Sequence, residues 1–145
     1  MANKDLVIHS PEMTLEQKVV ALLLCIAQEK KVEIDRALGG PVQSLLQLNL
    51  LHALSKAPGG TLTVGQLKHL MIDDSPNVSR TLGKLEKLGL VEKTRSDEDQ
   101  RTVHVRITDA GHRAHEEGDH RMLDLAGTNL EEPELKQLLD LLVKL

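Results

Sequence analysis

Residues 75–111 read SPNVSRTLGKLEKLGLVEKTRSDEDQRTVHVRITDAG. Ser75 followed by Pro76 suits the N-cap and first turn of a helix, since Ser accepts a hydrogen bond there and Pro lacks the amide that would go unpaired. The apolar spacing carries that helix to Leu88, and Gly89 suits the left-handed residue that ends it. Leu90 to Arg95 then reads as a strand, and Ser96 to Gln100 as a polar, acidic turn. From Thr102 to Ile107 the chain alternates, with Val103, Val105 and Ile107 on one face and Thr102, His104 and Arg106 on the other, the period of a strand. Two strands about one turn make a β-hairpin. Thr108 caps a long helix carrying Ala110, Ala114, Gly118, Met122 and Leu125, where Gly118 allows close helix approach.

Upstream, Thr14 and Gln17 form a capping-box pattern that opens a helix to about Leu38. Its run Val19 to Ala27 is apolar nearly all round, which predicts burial on several sides. Gly39-Gly40-Pro41 ends it. Ser44 and Gln47 repeat the capping pattern before a helix to about Lys56, with Leu45, Leu48, Leu50, Leu51, Ala53 and Leu54 as its apolar positions. Ala57-Pro58-Gly59-Gly60 stops it. Thr61 to Thr63 suits a three-residue strand, and Val64 to Met71 a short helix capped by Thr63, with Leu67, Leu70 and Met71 inward. Downstream, a break near Gly127–Asn129 precedes a last helix, roughly Glu131 to Leu145, striped with Leu135, Leu138, Leu139, Leu142 and Leu145. The order is α-α-β-α-α-β-β-α-α. Two short helices joined by a tight turn and followed by a hairpin make a winged helix-turn-helix, in a fold that is mainly α with a small β-hairpin.

The 145 residues suit one domain, 40% apolar and 28% charged. There is no Phe, Tyr or Trp. That argues against stacking single-stranded nucleic acid and excludes an aromatic cage for quaternary ammonium ligands. The one cysteine, Cys25, forms no internal disulfide. No run of about 20 apolar residues predicts a membrane span, and MANKDLVIHSPEM lacks the apolar core of a secretion signal, so the expected location is cytoplasmic with no membrane partner.

The net charge is −4, yet residues 75–95 carry Arg80, Lys84, Lys87, Lys93 and Arg95 against Glu86 and Glu92, while residues 114–145 hold three basic and eight acidic residues. An anionic partner feels the local cluster, not the total. At 100° per residue, Val78, Leu82 and Leu85 share one stripe of the 76–88 helix. Opposite lie Arg80 and Lys87, flanked by Pro76, Asn77, Gly83 and Lys84. Asn and Arg can read base edges in a major groove, and Ser and Lys can hold phosphates.

These features resemble the MarR family of bacterial transcription regulators. The family's wing pattern, Asp-x-Arg, an apolar strand, then Leu-Thr-x-x-Gly, is matched by Asp99-Gln100-Arg101, Thr102 to Arg106, and Ile107-Thr108-Asp109-Ala110-Gly111. Val78-Ser79-Arg80 through Leu85-Glu86-Lys87-Leu88-Gly89-Leu90-Val91 is similar to its recognition helix and exit. The resemblance implies one domain over 1–145, with 43–107 as the winged helix-turn-helix and 12–40 and 108–145 as dimerisation helices. It implies a homodimeric, sequence-specific regulator, expected to repress, on a pseudo-palindromic duplex. Ser75, Asn77, Ser79, Arg80, Lys84, Lys87, Arg95, Asp99 and Arg101 are the expected DNA-binding residues. Arg101 would be the wing arginine and Asp99 the carboxylate orienting it. A small-molecule effector is a further candidate partner. Independently, the leucine-rich first and last helices exceed what one small core can cover, which favours a dimer.

No metal or cofactor is assigned. His112, His115 and Glu116 are candidate ligands without an identifiable remaining one. Cys25, among aliphatics, is expected to be a buried, inert thiol and is the one redox candidate. A metal- or redox-responsive member of the family is thus an alternative. No phosphate loop, nucleophile elbow or triad supports an enzyme. The other competing reading is a winged-helix protein–protein module without DNA binding. It draws on Asp73, where the family usually has a buried aliphatic, and on the acidic stretches Asp73-Asp74 and Asp97-Glu98-Asp99.

Overall fold

The computed structural model describes residues 4–73 and 75–145. Asp74, counted above in the acidic turn, lies outside the described residues, as do residues 1–3 of the N-terminal stretch. Among the described residues the seven α-helices are α1 (Lys4–Ile8), α2 (Leu15–Ala37), α3 (Leu45–Lys56), α4 (Val64–Met71), α5 (Pro76–Lys87), α6 (Asp109–Leu123) and α7 (Glu132–Leu142). The strands are β1 (Thr61–Thr63), β2 (Val91–Arg95) and β3 (Val103–Ile107), and Pro58–Gly60 forms a 3-10 turn.

The expected hairpin gains a third member. All three strands are antiparallel in the order β1-β3-β2, with Leu62 opposite Val105 and Val91 opposite Ile107. The short helix α1 was not anticipated.

Helix starts follow their caps. Thr14 and Thr63 close reciprocal boxes with Gln17 and Gln66. The box expected at Ser44 forms on one side only: Ser44 accepts from the Gln47 amide, but the Gln47 side chain accepts from the Gln43 amide instead. Asp35, at the end of α2, accepts from the Leu45 amide at 2.7 Å and so supplies a second cap for α3.

The core is aliphatic throughout. Leu48, Leu50, Leu51 and Leu54 of α3 meet Leu67 of α4, the Val78, Leu82 and Leu85 stripe of α5, and Val91, Val105 and Ile107 of the sheet. Gly118 of α6 sits over Leu48: a Cβ there would lie 2.6 Å from Leu48 Cδ1. That is the close approach its position in the sequence suggests.

Three burial expectations fail. No residue of α2 is buried, and Leu24 is 67% exposed. Cys25 is half-buried rather than enclosed. Leu70, expected inward on α4, is exposed. The reason for α2 is geometric: a 23-residue helix is about 35 Å long, longer than the side of this small core. Leu15, Val19, Val20, Leu24 and Ile26, like Leu135, Leu138, Leu139 and Leu142 of α7, face outward in the single chain, while Ile34 packs against the core.

Candidate nucleic-acid interface

Helix α5 is positioned from both ends. At its start, the Asp73 carboxylate accepts from the Ser75 amide at 2.8 Å, and Ser75 Oγ accepts from the Asn77 amide at 3.2 Å. These bonds with Ser75 hold the Asp73 carboxyl below its usual range. The departure at Asp73 is therefore an ordered entry to α5. Just before it, Ile72 takes a left-handed conformation at φ 52°. At its end, Gly89 takes φ 71°, and the Leu90 amide returns to the Leu85 carbonyl at 3.0 Å.

With Val78, Thr81, Leu82 and Leu85 buried, Asn77, Ser79, Arg80, Lys84 and Lys87 are exposed. Among the described residues, Arg80, Lys84, Lys87 and Arg101 have no acidic partner. Other cations are committed: Lys93 lies 3.5 Å from Glu86, and Arg106 2.6 Å from Glu92.

The wing turn is held by its own side chains. Ser96 Oγ accepts from the amides of Glu98 and Asp99. Arg95 donates from Nη1 to the Gln100 carbonyl at 3.0 Å, so this expected DNA-binding residue also braces the turn. Asp99 does not pair with the Arg101 guanidinium. Its Oδ1 accepts from the Arg101 backbone amide at 2.9 Å and its Oδ2 from the Thr102 hydroxyl at 3.1 Å. The carboxylate therefore shapes the chain at Arg101 and leaves the guanidinium free. The reason is reach: a short aspartate two residues away meets the nearby amide in an Asx-type turn.

The motif after the wing has an equally local explanation. Thr108 donates from its hydroxyl to the Gly89 carbonyl at 2.7 Å and from its amide to the Leu90 carbonyl at 3.1 Å. Its Oγ1 accepts from the Gly111 amide at 3.0 Å. One threonine thus ties the exit of α5 to the start of α6. Gly111 is small because the Leu90 carbonyl occupies the place of a Cβ.

Five of the expected residues line two separate concavities, while Ser75, Asn77, Arg80 and Asp99 line neither. Ser79, Arg95 and Arg101 line a cleft of about 750 Å³ between α5 and the wing. Lys68 and Lys93 line it too. In the sequence Lys93 is part of the basic cluster, whereas nothing there singles out Lys68. Lys84 and Lys87 instead border a smaller groove with Gly40, Pro41, Gln43 and Gln47.

Of the candidate metal ligands, His115 alone is enclosed. Its Nε2 lies 3.0 Å from His52 Nδ1 of α3 and 3.2 Å from Asp119 Oδ2. Burial pushes the His115 imidazole below its usual range, against the pull of the Asp119 carboxylate; His52, Lys56 and His112 add to the downward shift. His112 and Glu116 are exposed and outside this group.

A basic helix set second in a helix-turn-helix, beside a sheet-built wing, defines a winged helix-turn-helix protein. Residues 43–102 match the sequence model of the MarR family, and the fold over nearly the whole chain is similar to that of solved MarR structures. A MarR cysteine-to-serine mutant from E. coli, complexed with operator DNA, is 23% identical with a TM-score of 0.73, covering 91% of this chain and 98% of that one. Sco3205 from Streptomyces coelicolor, a MarR family transcriptional regulator in complex with DNA, is 19% identical with a TM-score of 0.65, covering 94% and 91%. BpsR from Bordetella bronchiseptica, whose DNA binding is regulated by 6-hydroxynicotinic acid, is 20% identical with a TM-score of 0.76, covering 88% and 97%. No curated protein matches the chain. Further solved structures with this fold, from Rhodococcus and Streptomyces, are described as MarR family transcriptional regulators. No helix among the described residues is long and apolar enough to cross a membrane.

Proposed function

We propose that the protein is a homodimeric, sequence-specific duplex-DNA binder that represses transcription from the cytoplasm. The observation that carries this is the uncommitted cationic face of α5 beside the wing: Arg80, Lys84, Lys87 and Arg101 are exposed and free of acidic partners among the described residues. What sets these groups apart is their clustering on one helix face and the adjoining wing, with Lys93 and Arg106 beside them already paired to Glu86 and Glu92. The DNA complexes of the E. coli and Streptomyces relatives agree with this reading.

In this reading Asn77, Ser79 and Arg80 read the major groove while Ser75, Lys84, Lys87 and Arg95 position the backbone. Arg101, on the wing tip held by Asp99, enters a minor groove, where negative potential is concentrated. The outward apolar faces of α2 and α7 support a second copy as their cover, which makes 12–40 and 108–145 the dimerisation helices and 43–107 the DNA-binding unit of a single domain. Two related reading heads then match a pseudo-palindromic site. A small effector would relieve repression from the groove beside His52, Leu62, Leu70 and Met71, about 610 Å³ in volume, which runs from α3 to the residue preceding the turn into α5. Arg80→Ala and Arg101→Ala proteins should keep wild-type circular dichroism and lose affinity for duplex DNA; unchanged affinity in both would overturn the assignment.

A further inference from the structure

One cluster of chemistry-bearing side chains has no part in the proposed DNA contact. Where α6 packs on α3, three ligand-type atoms from two helices converge: His52 Nδ1, His115 Nε2 and Asp119 Oδ2. They form a triangle with edges of 3.0, 3.2 and 3.9 Å, whose corners all lie about 2.0 Å from a common centre, the bond length of about 2.0–2.2 Å that zinc makes to imidazole and carboxylate. We propose that this is a binding site for one divalent transition-metal cation of zinc's class per chain.

Several features fit that ligand. His115 and Asp119 are spaced i, i+4, so one turn of α6 presents both on one face. His115 is only 6% exposed, fixed between the helices, while the His52 side chain is 51% exposed and borders the open groove along α3. The site thus has a rigid side and an entry side, and a water can take the fourth position. Two imidazoles and one carboxylate favour zinc and its first-row neighbours over calcium or magnesium, which prefer oxygen throughout. Without a cation the two facing ring nitrogens share one proton in a hydrogen bond. Loading requires that proton to sit on the far nitrogen of its own ring, so that both facing lone pairs are available to the cation. Lys56 is the cation opposing the site, and Asp119 supplies the compensating charge. This site is not the pair of histidines visible in the sequence: His112 and Glu116 stand outside it, and His52, 63 residues before His115, completes it.

The test uses the full chain, stripped with chelator, and zinc or cobalt(II) alone, with no DNA present. Titration against a chromophoric chelator should give one zinc per chain, and cobalt(II) should develop visible d–d absorption. His52→Ala and Asp119→Asn replace exposed or half-exposed side chains, and with circular dichroism showing them folded each should weaken zinc by at least about tenfold. His112→Ala and Glu116→Ala should bind as the wild type does. Absence of stoichiometric binding, or zinc affinity unmoved by His52→Ala and Asp119→Asn, would overturn the site.

Discussion

Asp99 accepts a hydrogen bond from the backbone amide of Arg101, and its second oxygen accepts from the Thr102 hydroxyl. The wing arginine is therefore presented by a carboxylate that touches its main chain. An oxygen acceptor is what this role requires, not a charge. Asp99→Asn should keep DNA affinity at or above the wild-type level, since it preserves an acceptor and removes a negative charge near phosphate. Asp99→Ala should lose affinity by about fivefold, the equivalent of one hydrogen bond of about 1 kcal/mol. Anisotropy titrations of the two variants check this. If the two lose affinity equally, Asp99 acts through its charge.

Much of this arrangement was legible beforehand, and the reasons are local. Ser75-Pro76 and Gly89 bound α5 because capping and positive φ are properties of single residues. The Val78, Leu82, Leu85 stripe was readable because its period is that of the helix. What escaped needed tertiary information. His52 gains its meaning only when α6 packs on α3. Lys68 and Arg101 share a cleft across elements 33 residues apart in the chain. The burial of α2 was misjudged because an apolar helix shows that it wants cover, not whether its own chain provides it.

In the proposed DNA contact, Arg80 and the lysines of α5 are expected to play different parts. Arg80→Ala should cost about 1–3 kcal/mol on the preferred duplex and relax sequence preference. Lys84→Ala and Lys87→Ala should weaken all duplexes alike and each lower the slope of log affinity against log salt by about 1. Salt series on two duplexes separate these outcomes.

Ile72 is a β-branched residue at φ 52°, 95% exposed. Its left-handed backbone costs about 1–2 kcal/mol, and its side chain buries almost nothing in return. Ile72→Gly should therefore raise stability by up to about 1 kcal/mol after the entropy of the added glycine is deducted. A higher urea midpoint with an unchanged slope is the expected result.

Gly111 is the opposite case. A Cβ there meets the Leu90 carbonyl, which is main chain already bonded to the Thr108 amide and cannot swing aside. Gly111→Ala should destabilise the fold by about 1–3 kcal/mol despite alanine's better helix propensity. Urea denaturation measures it directly.

Asp35 links α2 to the start of α3 and gives stability a pH dependence. Partial burial pushes its carboxyl up, but the hydrogen bonds from Lys31 and the Leu45 amide, with the Lys31 charge, outweigh that and hold it below its usual range. A depressed folded-state value means that the contribution is full above the unfolded-state value and is lost as pH falls through the folded one. Asp35→Ala should thus cost about 1 kcal/mol at pH 7, and the gap to wild type should shrink below about pH 4. Urea midpoints at pH 7 and pH 3 test the sign.

The central claim is specific recognition of duplex DNA by α5 and the wing. It is tested most directly by anisotropy of two labelled duplexes, one from upstream of the protein's own gene and one of shuffled sequence, across a salt series. The account predicts steep salt dependence on both and affinity for the upstream duplex tighter by on the order of 10³-fold or more. Equal affinity for the two duplexes at every salt concentration would contradict it.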